Sequence, residues 1–381
     1  MKKIYLDHAA TTPINPLVYE KMKPFLEDFY GNPSSVHELG AQTKKAINES
    51  RRKIASILNC KPIELFFTSS GTEATNWAIL GYADKNPDKN EIIISEIEHH
   101  ATIHTCEYLE KRGYHTHQIH VDEKGFIDLK ELENKINKNT LMVSIIWGNN
   151  EIGTIQDIDK VRDICKKHNI ILHVDAVQMV GNHEIDLTEL SIDLMTFSAH
   201  KFYGPKGIGM LYKRESIEIE NLIHGGMQEK GLRSGTENVV GIIGLAEALE
   251  LSFQSLHEYK KNLLALSNAL FNLLKKEIPT IRINGPEIGK NRLPGVLSLS
   301  FDSIRSFDLA FALDKEHIYV STGSACNATD IRPSHVLRAI KQENIEKTGT
   351  IRISFGAQNQ IEDIPYIASK IIECYLENKE R

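Results

Sequence analysis

Short apolar segments alternate with helical patterns from about residue 65 onward. The segments contain four to seven residues, mainly Ile, Leu, Val and Phe, and polar residues bound each of them. Between them, apolar residues recur at helical spacing, as at Ile158, Val161 and Cys165. This alternation predicts an α/β fold in which helices cover a parallel sheet. The predicted strands of this sheet are 65–68, 92–95, 141–147, 170–174, 194–197 and 208–212.

The pattern changes after about residue 251. A long helix is predicted over 259–276, and a closing helix contains Ile364, Ile367 and Ile371 at helical spacing. Fewer strands are predicted between these two helices, at 296–301, 319–321 and 351–354. This pattern predicts a smaller α+β domain. We therefore expect a large domain over 14–255 and a small domain formed by 1–13 and 256–381.

The composition is that of an ordinary globular protein. Of the 381 residues, 41% are hydrophobic and 25% are charged, which excludes the compositional classes of disordered and fibrous chains. The net charge of -6 provides no electrostatic reason to expect nucleic acid or an anionic membrane as a partner. Asp7 interrupts the N-terminus before an apolar signal core could form, and no later run approaches ~20 apolar residues. The protein is therefore predicted to be cytoplasmic.

Five cysteines are scattered along the chain, at positions 60, 106, 165, 326 and 374. Their number is odd and no two of them form a C-x-x-C pair, which argues against a disulfide scaffold and a thiolate zinc site. Four of them fit the default of small buried hydrophobic residues. Cys326 differs because its neighbours are small and polar, and we predict a mobile loop at about 321–332.

Lys201 lies where the predicted strand 194–197 gives way to a glycine-rich turn, and Ser198 and His200 closely precede it. A lysine that forms a Schiff base with pyridoxal phosphate needs a rigid strand end to aim its amine and small neighbours to admit the ring. Ser198 and His200 could then donate hydrogen bonds to the cofactor phosphate. The alternative is a solvated lysine in a surface turn, which is the commoner state of a lysine.

Polar residues also follow other predicted strands, at the edge where α/β sheets bind ligands. Gly71 and Thr72 open a helical pattern, so that backbone N–H groups and the helix dipole favour a phosphate, although a Ser or Thr at such a position also serves as a simple cap. Asp175 comes directly after 170–174. A buried carboxylate there needs a partner, either a protonated pyridine nitrogen or the first amides of the next segment.

His99 follows another predicted strand, where an imidazole could stack on a cofactor ring and transfer protons. A zinc site is the alternative in this segment, because His100 and His104 are four residues apart and could share a helix face. The glutamate of an H-E-x-x-H motif is missing, so no metal is predicted. His115, His117 and His120 alternate in a further predicted strand and are expected to be solvated.

Nine short motifs occur in one order along the chain, at residues 6–13, 31–35, 70–73, 98–99, 149–153, 173–178, 198–209, 233–238 and 323–326. In this order and at these separations they resemble the cysteine desulfurases of the NifS/IscS type, which are fold-type-I pyridoxal-phosphate enzymes related to aspartate aminotransferase. The similarity runs nearly from end to end. Ser70 and Met227 depart from the family pattern, and neither departure removes a catalytic group.

The resemblance implies a catalytic role for several matching residues. Lys201 forms the Schiff base, and Asp175 pairs with the pyridinium nitrogen. Gln178 donates to the ring oxygen, and His99 stacks on the ring. Cys326 is the nucleophile that takes the sulfur from the substrate.

The resemblance also implies binding roles. The residues that contact the cofactor phosphate or complete the cofactor site are Gly71, Thr72, Asn150, Ser198, His200 and Thr236. In this family Thr236 reaches the phosphate of the neighbouring subunit, which implies a homodimer with shared sites. Asn150 and Arg352 match the positions that bind the substrate carboxylate. From the residues alone, Arg352 in its predicted strand could equally form an ordinary surface salt bridge.

The implied protein is a pyridoxal-phosphate-dependent cysteine desulfurase whose large domain has a mostly parallel, seven-stranded sheet. It converts L-cysteine to L-alanine and delivers sulfur from Cys326 to an iron–sulfur scaffold protein or a tRNA-thiolating enzyme. The alternatives are a selenocysteine lyase, a class V aminotransferase and a non-catalytic sulfur-relay adaptor. The loop cysteine argues against the aminotransferase, and the residues at the pyridoxal positions argue against the adaptor.

Overall fold

The computed structural model describes residues 2–322, 334–340 and 348–379. Within these residues, the strands form two sheets and one short pair. The strands are β1 (Ile4–Tyr5), β2 (Leu65–Thr68), β3 (Glu91–Ser95), β4 (His115–Ile119), β5 (Thr140–Ile146), β6 (Ile171–Asp175), β7 (Leu194–Ser198), β8 (Gly209–Lys213), β9 (Arg282–Asn284), β10 (Val296–Asp302), β11 (Ile318–Tyr319) and β12 (Thr348–Ser354).

Helices pack against these sheets and connect their strands. The α-helices of the described residues are α1 (Pro16–Met22), α2 (Pro24–Glu27), α3 (Glu38–Leu58), α4 (Gly71–Lys85), α5 (His100–Glu110), α6 (Leu129–Lys135), α7 (Ile158–His168), α8 (Leu187–Leu190), α9 (Val239–Glu277), α10 (Ser306–Lys315), α11 (His335–Ala339) and α12 (Ile364–Asn378).

The larger sheet has seven strands in the order β2-β8-β7-β6-β5-β3-β4. The strands from β3 to β7 pair in parallel, and β8 runs antiparallel to both of its neighbours. This arrangement confirms the predicted α/β class with a mostly parallel, seven-stranded sheet. The carboxyl ends of the parallel strands lie along the same side of the sheet. The residues that follow these strands are therefore close together, at the position where such sheets bind ligands.

Alternate residues of the larger sheet pack into two separate apolar cores, because successive side chains of a strand point to opposite faces. Phe67 and Ile93 belong to the core that contains residues of α3 and α7. Phe66 and Ile92 belong to the core that contains residues of α4 and α5. Both faces of the sheet are therefore buried in its central strands, which explains why these strands are largely apolar rather than alternating, whereas the edge strand β4 is polar and mostly accessible.

The smaller sheet is antiparallel, in the order β12-β10-β9, and β1 pairs with β11 in parallel. A third core surrounds the smaller sheet and includes Leu299, Ile353 and Ile367. Ile4 belongs to the same core although it lies at the other end of the sequence. The division into 14–255 on one side and 1–13 with 256–381 on the other stays a prediction.

The longest helix, α9, shows that the helix boundary predicted at residue 259 is wrong. This helix begins at Val239 and contains 39 residues. Its first part is apolar on most sides, so the sequence there lacks the alternation that marks an amphipathic helix. Leu249 lies in a core of the larger sheet and Leu270 in the core of the smaller sheet. The apolar composition of the first part of α9 is therefore explained by its burial in the protein core.

Among the described helices, α9 is also the one that is long and apolar enough to cross a membrane by length and composition. The sequence analysis found no such run. The side chains of Ile242, Leu256, Leu263 and Leu274 along this helix are buried within the protein. We therefore interpret α9 as a core helix of the fold.

Most predicted strands agree with the structure to within one residue. The strand expected at 319–321 ends earlier, at Tyr319, and Ser321 forms an isolated bridge to Arg352. The strand expected at 351–354 begins three residues earlier, at Thr348. His115 and His117 lie in β4 as predicted, and His117 Nε2 lies 2.8 Å from a carboxylate oxygen of Glu91.

Candidate active site

Polar residues that follow five strands of the larger sheet converge on one cavity of about 530 Å³. The strand β2 leads to Gly71, β3 to His99, β5 to Asn150, β6 to Asp175 and β7 to Lys201. The structure thereby brings together residues that are far apart in the sequence. The predicted site residues that line this cavity are Gly71, Thr72, His99, Asn150, Asp175, Gln178, Ser198, His200, Lys201 and Arg352.

Lys201 lies in a short 3₁₀ turn directly after β7. Its Nζ donates hydrogen bonds to the carbonyl oxygens of Ala9 and Ala10, at 2.7 and 2.8 Å. The N-terminal segment also holds the lysine turn, since the Thr12 hydroxyl donates to the His200 carbonyl and accepts from the Tyr203 amide. The amine is therefore fixed at the cavity wall, unlike a solvated lysine in a surface turn.

The helix α4 begins at Gly71, with its first turn against the cavity. Ser70 is the N-cap, and its Oγ accepts a hydrogen bond from the Glu73 amide at 3.1 Å. The first amides of a helix have no partner within it, and together with the helix dipole they favour an anion. Gly209 permits this turn, because a Cβ there would lie 2.4 Å from the Ser70 carbonyl carbon. Since Ser70 is the cap, the Thr72 side chain is not.

The Asp175 carboxyl group is buried at the end of β6, with 3% of the residue exposed. Its Oδ1 accepts a hydrogen bond from the Val177 amide at 3.0 Å, and a turn rather than a helix follows. Burial raises the pKa of Asp175 to about 6, although the nearby Lys201 ammonium acts in the opposite direction. A protonated ring nitrogen in the cavity would stabilise the ionised carboxylate. This geometry favours a ligand partner over a helix cap.

His99 is both the N-cap of α5 and part of the cavity wall. Its Nδ1 accepts a hydrogen bond from the Ala101 amide at 3.0 Å, which assigns the proton of the neutral ring to Nε2. Burial and the positive charge of Lys201 lower the pKa of His99 to about 4. The ring is therefore neutral at pH 7 and offers one N–H donor.

Three more predicted residues lie at the same wall. Gln178 donates from Nε2 to the Ala9 carbonyl at 2.9 Å, and an amide nitrogen has a second hydrogen for a ligand. The Nδ1 of His200 lies 3.1 Å from the Thr11 hydroxyl, and burial lowers the pKa of His200 to about 4. Ser198, the last residue of β7, is buried beside this turn.

Arg352 in β12 is almost fully buried, with 2% of the residue exposed. Its Nη1 donates to the Asn150 carbonyl oxygen at 2.9 Å, and its Nη2 donates to the Asp7 carboxylate at 2.6 Å. Its Nε has no hydrogen-bond partner among the described residues. The alternative of an ordinary surface salt bridge is therefore wrong. A buried guanidinium with an unpaired donor beside the cavity suits an anionic ligand.

Glu98, Glu151 and His335 are among the residues of the cavity wall for which the sequence indicated no role. Burial raises the pKa of Glu98 to about 8 and that of Glu151 to about 7. His335 begins α11, and its Nε2 donates to the Glu98 carbonyl at 2.9 Å. The position of Glu98 directly before His99, at a strand end, was a usable signal. His335 reaches the wall only through tertiary structure.

The histidines considered for zinc pack against each other. The ring centroids of His100 and His104 are 5.0 Å apart, and those of His100 and His335 are also 5.0 Å apart. In the part of the chain that the structure describes, no three His, Cys, Asp or Glu side chains are arranged to hold a metal ion.

Of the predicted site residues that the structure describes, Thr236 is the one that does not line this cavity. Thr236 lines a second cavity of about 180 Å³ together with Arg233 and Asn238. Cys326 and most of its predicted loop lie outside the described residues.

The four cysteines that the structure describes are shielded from solvent to different degrees. Cys60 is half-buried, and the other three are buried. Burial raises the pKa of Cys60, Cys106 and Cys165 to about 12 and that of Cys374 to about 11. A thiol is a poor nucleophile when it is protonated, so none of these four suits a thiolate reaction.

Comparisons with known proteins agree with this architecture. Residues 4–367 match the family model described as aminotransferase class-V. The chain is 44% identical to a cysteine desulfurase IscS from Clostridium botulinum, over 100% of this chain and 99% of the relative. It is 43% identical to a cysteine desulfurase IscS from Methanosarcina thermophila, over 98% of this chain and 92% of the relative. A solved structure of a NifS-like protein has a TM-score of 0.93 and 39% identity, covering 99% of this chain and 100% of that one.

The fold, the cavity at the strand ends and the match over residues 4–367 define a member of the aminotransferase class-V family, whose enzymes depend on pyridoxal phosphate and have fold type I. Within this family the chain belongs to the cysteine desulfurases of the NifS/IscS type.

The cavity wall fits the cofactor of this family. The buried carboxyl group of Asp175 suits a protonated pyridine nitrogen, and the first turn of α4 at Gly71 suits a phosphate. The Lys201 amine suits a Schiff base. The residues that would hold the group are thus of the required types and share one cavity.

Proposed function

We propose that this chain removes the sulfur from L-cysteine, releases L-alanine and carries the sulfur as a persulfide on Cys326. The observation that carries the proposal is the shared cavity of Lys201, Asp175 and Arg352. The Lys201 amine suits an aldehyde cofactor, and the buried Asp175 carboxyl group suits the ring nitrogen of that cofactor. The Arg352 guanidinium suits the carboxylate of the substrate. When bound, pyridoxal phosphate supplies a sink for the electron pair left at the substrate Cα.

Three side chains of the cavity wall, those of Lys201, Asp175 and His99, hold or transfer protons in the proposed reaction. Lys201 would hold the cofactor through its amine, and the same amine, once released and neutral, would accept the Cα proton of the substrate. Asp175 would supply the negative charge that pairs with a protonated ring nitrogen. His99, neutral because its pKa is lowered to about 4, offers its Nε2–H to the reacting groups.

Arg352 and Asn150 orient the substrate. The contacts of Arg352 with the Asn150 carbonyl and the Asp7 carboxylate fix its guanidinium before any ligand arrives. Little side-chain entropy is then lost on binding, and the guanidinium at the cavity wall would offer its remaining N–H groups to the substrate carboxylate. This arrangement favours an amino acid with a free α-carboxylate.

The sulfur step is balanced without an external oxidant or reductant. The Cys326 thiolate attacks the substrate sulfur and forms an S–S bond while the Cβ–S bond breaks. The β-carbon keeps the electron pair, takes a proton and becomes the methyl group of alanine, and the transferred sulfur becomes the outer atom of the persulfide. The raised pKa values of the other four cysteines support the choice of Cys326.

We also propose a cytoplasmic homodimer that passes its sulfur to an acceptor protein, either an iron–sulfur scaffold or a tRNA-thiolating enzyme. Thr236 lines a different cavity from Lys201 in the same chain. This separation supports a role for Thr236 at the phosphate of the neighbouring subunit. The IscS name of the two relatives supports a role as sulfur donor.

The function is tested by a single-turnover assay of the purified, cofactor-loaded protein with L-cysteine. We expect equal amounts of alanine and protein-bound sulfane sulfur, because one sulfur is transferred for each alanine released. L-selenocysteine in a parallel assay measures the preference between the two amino acids. A keto acid product without bound sulfur would instead identify an aminotransferase and contradict the proposal.

Replacing Arg352 by Lys is expected to raise KM for L-cysteine about 10- to 100-fold, with a smaller effect on kcat. A lysine keeps the positive charge but has no planar fork, so it cannot hold Asn150, Asp7 and a carboxylate together. Steady-state kinetics measures the effect, and the visible spectrum of the variant checks that the cofactor is bound. An unchanged KM would mean that the substrate carboxylate binds elsewhere.

A further inference from the structure

Glu98 is a buried carboxyl group that the proposed mechanism does not use. It lies between β3 and α5, is 0% exposed and forms part of the cavity wall. Its Oε1 accepts hydrogen bonds from the Ser95 hydroxyl and from the Ile146 amide, the latter at 2.9 Å. Ser95 ends β3 and Ile146 ends β5, so one carboxyl oxygen joins two neighbouring strand ends.

The second oxygen of Glu98, Oε2, is buried and has no hydrogen-bond partner among the described residues. An ionised carboxylate here would leave a charged oxygen without a donor, which costs more than a buried neutral group. In a protonated carboxyl group, Oε2 carries the proton and Oε1 remains the acceptor for both existing hydrogen bonds. The geometry therefore favours the neutral form.

Asp175 is the acid whose negative charge acts on Glu98. Ile146, which donates to Glu98, is the direct cross-strand partner of Asp175. Burial, with a smaller contribution from the negative charge of Asp175, raises the pKa of Glu98 to about 8. Burial raises the pKa of Asp175 only to about 6, because the Val177 amide and the Lys201 ammonium act in the opposite direction, so the proton stays on Glu98 while Asp175 ionises.

Three histidines around Glu98 do not carry a positive charge at pH 7, and the positive charges of the cavity wall are those of Lys201, Lys206 and Arg352. The pKa values of His99 and His335 are lowered by burial, so both rings are neutral. The same holds for His100, whose pKa is also lowered by burial. Cys106 on α5 stays protonated, because burial raises the pKa of its thiol to about 12.

We propose that Glu98 is a positioning residue that carries a proton at neutral pH and holds the ends of β3 and β5 in place beside Asp175. The inference rests on the proposed function, because the negative charge left to Asp175 is the one that pairs with the ring nitrogen of the cofactor. Ionisation of Glu98 would add a second negative charge beside that of Asp175. This charge would raise the pKa of Asp175 and of a ring nitrogen paired with it.

The protonation state is tested by infrared spectroscopy of the purified full-length protein in D₂O. We expect the C=O stretch of a protonated carboxyl group at pH 7 to weaken in Glu98→Gln and to disappear from the wild type above pH ~8. Glu96→Gln, which changes a nearby carboxyl group with a partly exposed side chain, is the matched control and should leave the band unchanged. An identical band in Glu98→Gln and the wild type would overturn the inference.

Thermal unfolding provides a second test that does not depend on activity. A carboxyl group whose pKa is raised in the folded state stabilises the protein below its unfolded pKa, and this contribution is lost as the pH rises towards the folded pKa. Between pH 5 and 8, the Tm of Glu98→Gln minus that of the wild type should therefore increase by about 3 °C or more. A difference that is constant with pH would contradict a protonated Glu98.

The positioning role is tested in the cofactor-loaded enzyme. Glu98→Ala leaves the Ile146 amide without its acceptor, and we expect a ~10- to 100-fold lower kcat that Glu98→Gln largely restores. Between pH 7 and 9 the kcat of the wild type should depend more steeply on pH than that of Glu98→Gln, because the variant has no carboxyl group to ionise at this position. Equal kcat in the wild type and Glu98→Ala, or the same pH dependence in the wild type and Glu98→Gln, would refute the role. If no cofactor binds at all, the proposed function fails, whereas the infrared result still decides the state of Glu98.

Discussion

Replacing Lys201 by Ala is expected to abolish the visible absorption of bound pyridoxal phosphate and to lower desulfurase activity by at least about 10³-fold. The variant loses both the amine that forms the Schiff base and the base that removes the Cα proton. The contacts of the Lys201 amine with Ala9 and Ala10 show that it is already fixed at the cavity wall. Absorption spectra after addition of the cofactor, with an alanine-release assay, measure both effects.

The matched control for this variant is Lys138→Ala. Lys138 is an exposed lysine two residues before β5, at the opposite edge of the sheet from the cavity. We expect its spectrum and activity to equal those of the wild type. A Lys201→Ala protein that keeps the visible band would show that another amine binds the cofactor, and the proposed function would then have to be abandoned.

Replacing Cys326 by Ser is expected to leave the cofactor spectrum intact and to abolish persulfide formation on the protein. A hydroxyl group cannot accept sulfur to form an S–S bond, whereas Lys201, Asp175 and α4 remain as they are. The measurement is protein-bound sulfur after incubation with labelled L-cysteine, beside a visible spectrum of the same sample. Persulfide on the Ser variant would refute the assignment of Cys326.

The same chemical change at Cys60 provides the control. Cys60 is half-buried, and burial raises its pKa to about 12, so it is not expected to carry sulfur. Cys60→Ser should therefore transfer sulfur as the wild type does. The pair of variants separates the loss of one particular thiol from a general effect of a Cys→Ser substitution.

The strands of the larger sheet were predictable because they are short, apolar and bounded by polar turns. Both faces of this sheet are buried, so the strand sequences stand out as continuous apolar runs. The start of α9 was not predictable, again because of burial on more than one side. The first part of this helix is buried on several sides and shows no amphipathic pattern. The helical periodicity in the sequence is therefore recognisable only after residue 259.

The convergence of Gly71, His99, Asp175 and Lys201 was also predictable, since each follows a strand of one sheet and the parallel strands end at one edge. The individual roles of these residues stay predictions until the variants are measured. The burial of Glu98 and Glu151 was missed because a glutamate in a sequence is normally a solvated residue. Glu98, for example, is in contact with Ile146 of β5 and His335 of α11, which lie far away in the chain.

The sequence by itself determined where most strands lie along the chain and which residues follow them, because these follow from local periodicity, and its motifs implied the class of enzyme through their resemblance to a known family. The tertiary structure alone decided the electrostatic state of the site. It buries Arg352 between Asn150 and Asp7, and it raises the pKa of Glu98 while lowering that of His99. Desolvation and the charges of neighbours arise only when distant segments pack together, so no local pattern encodes them.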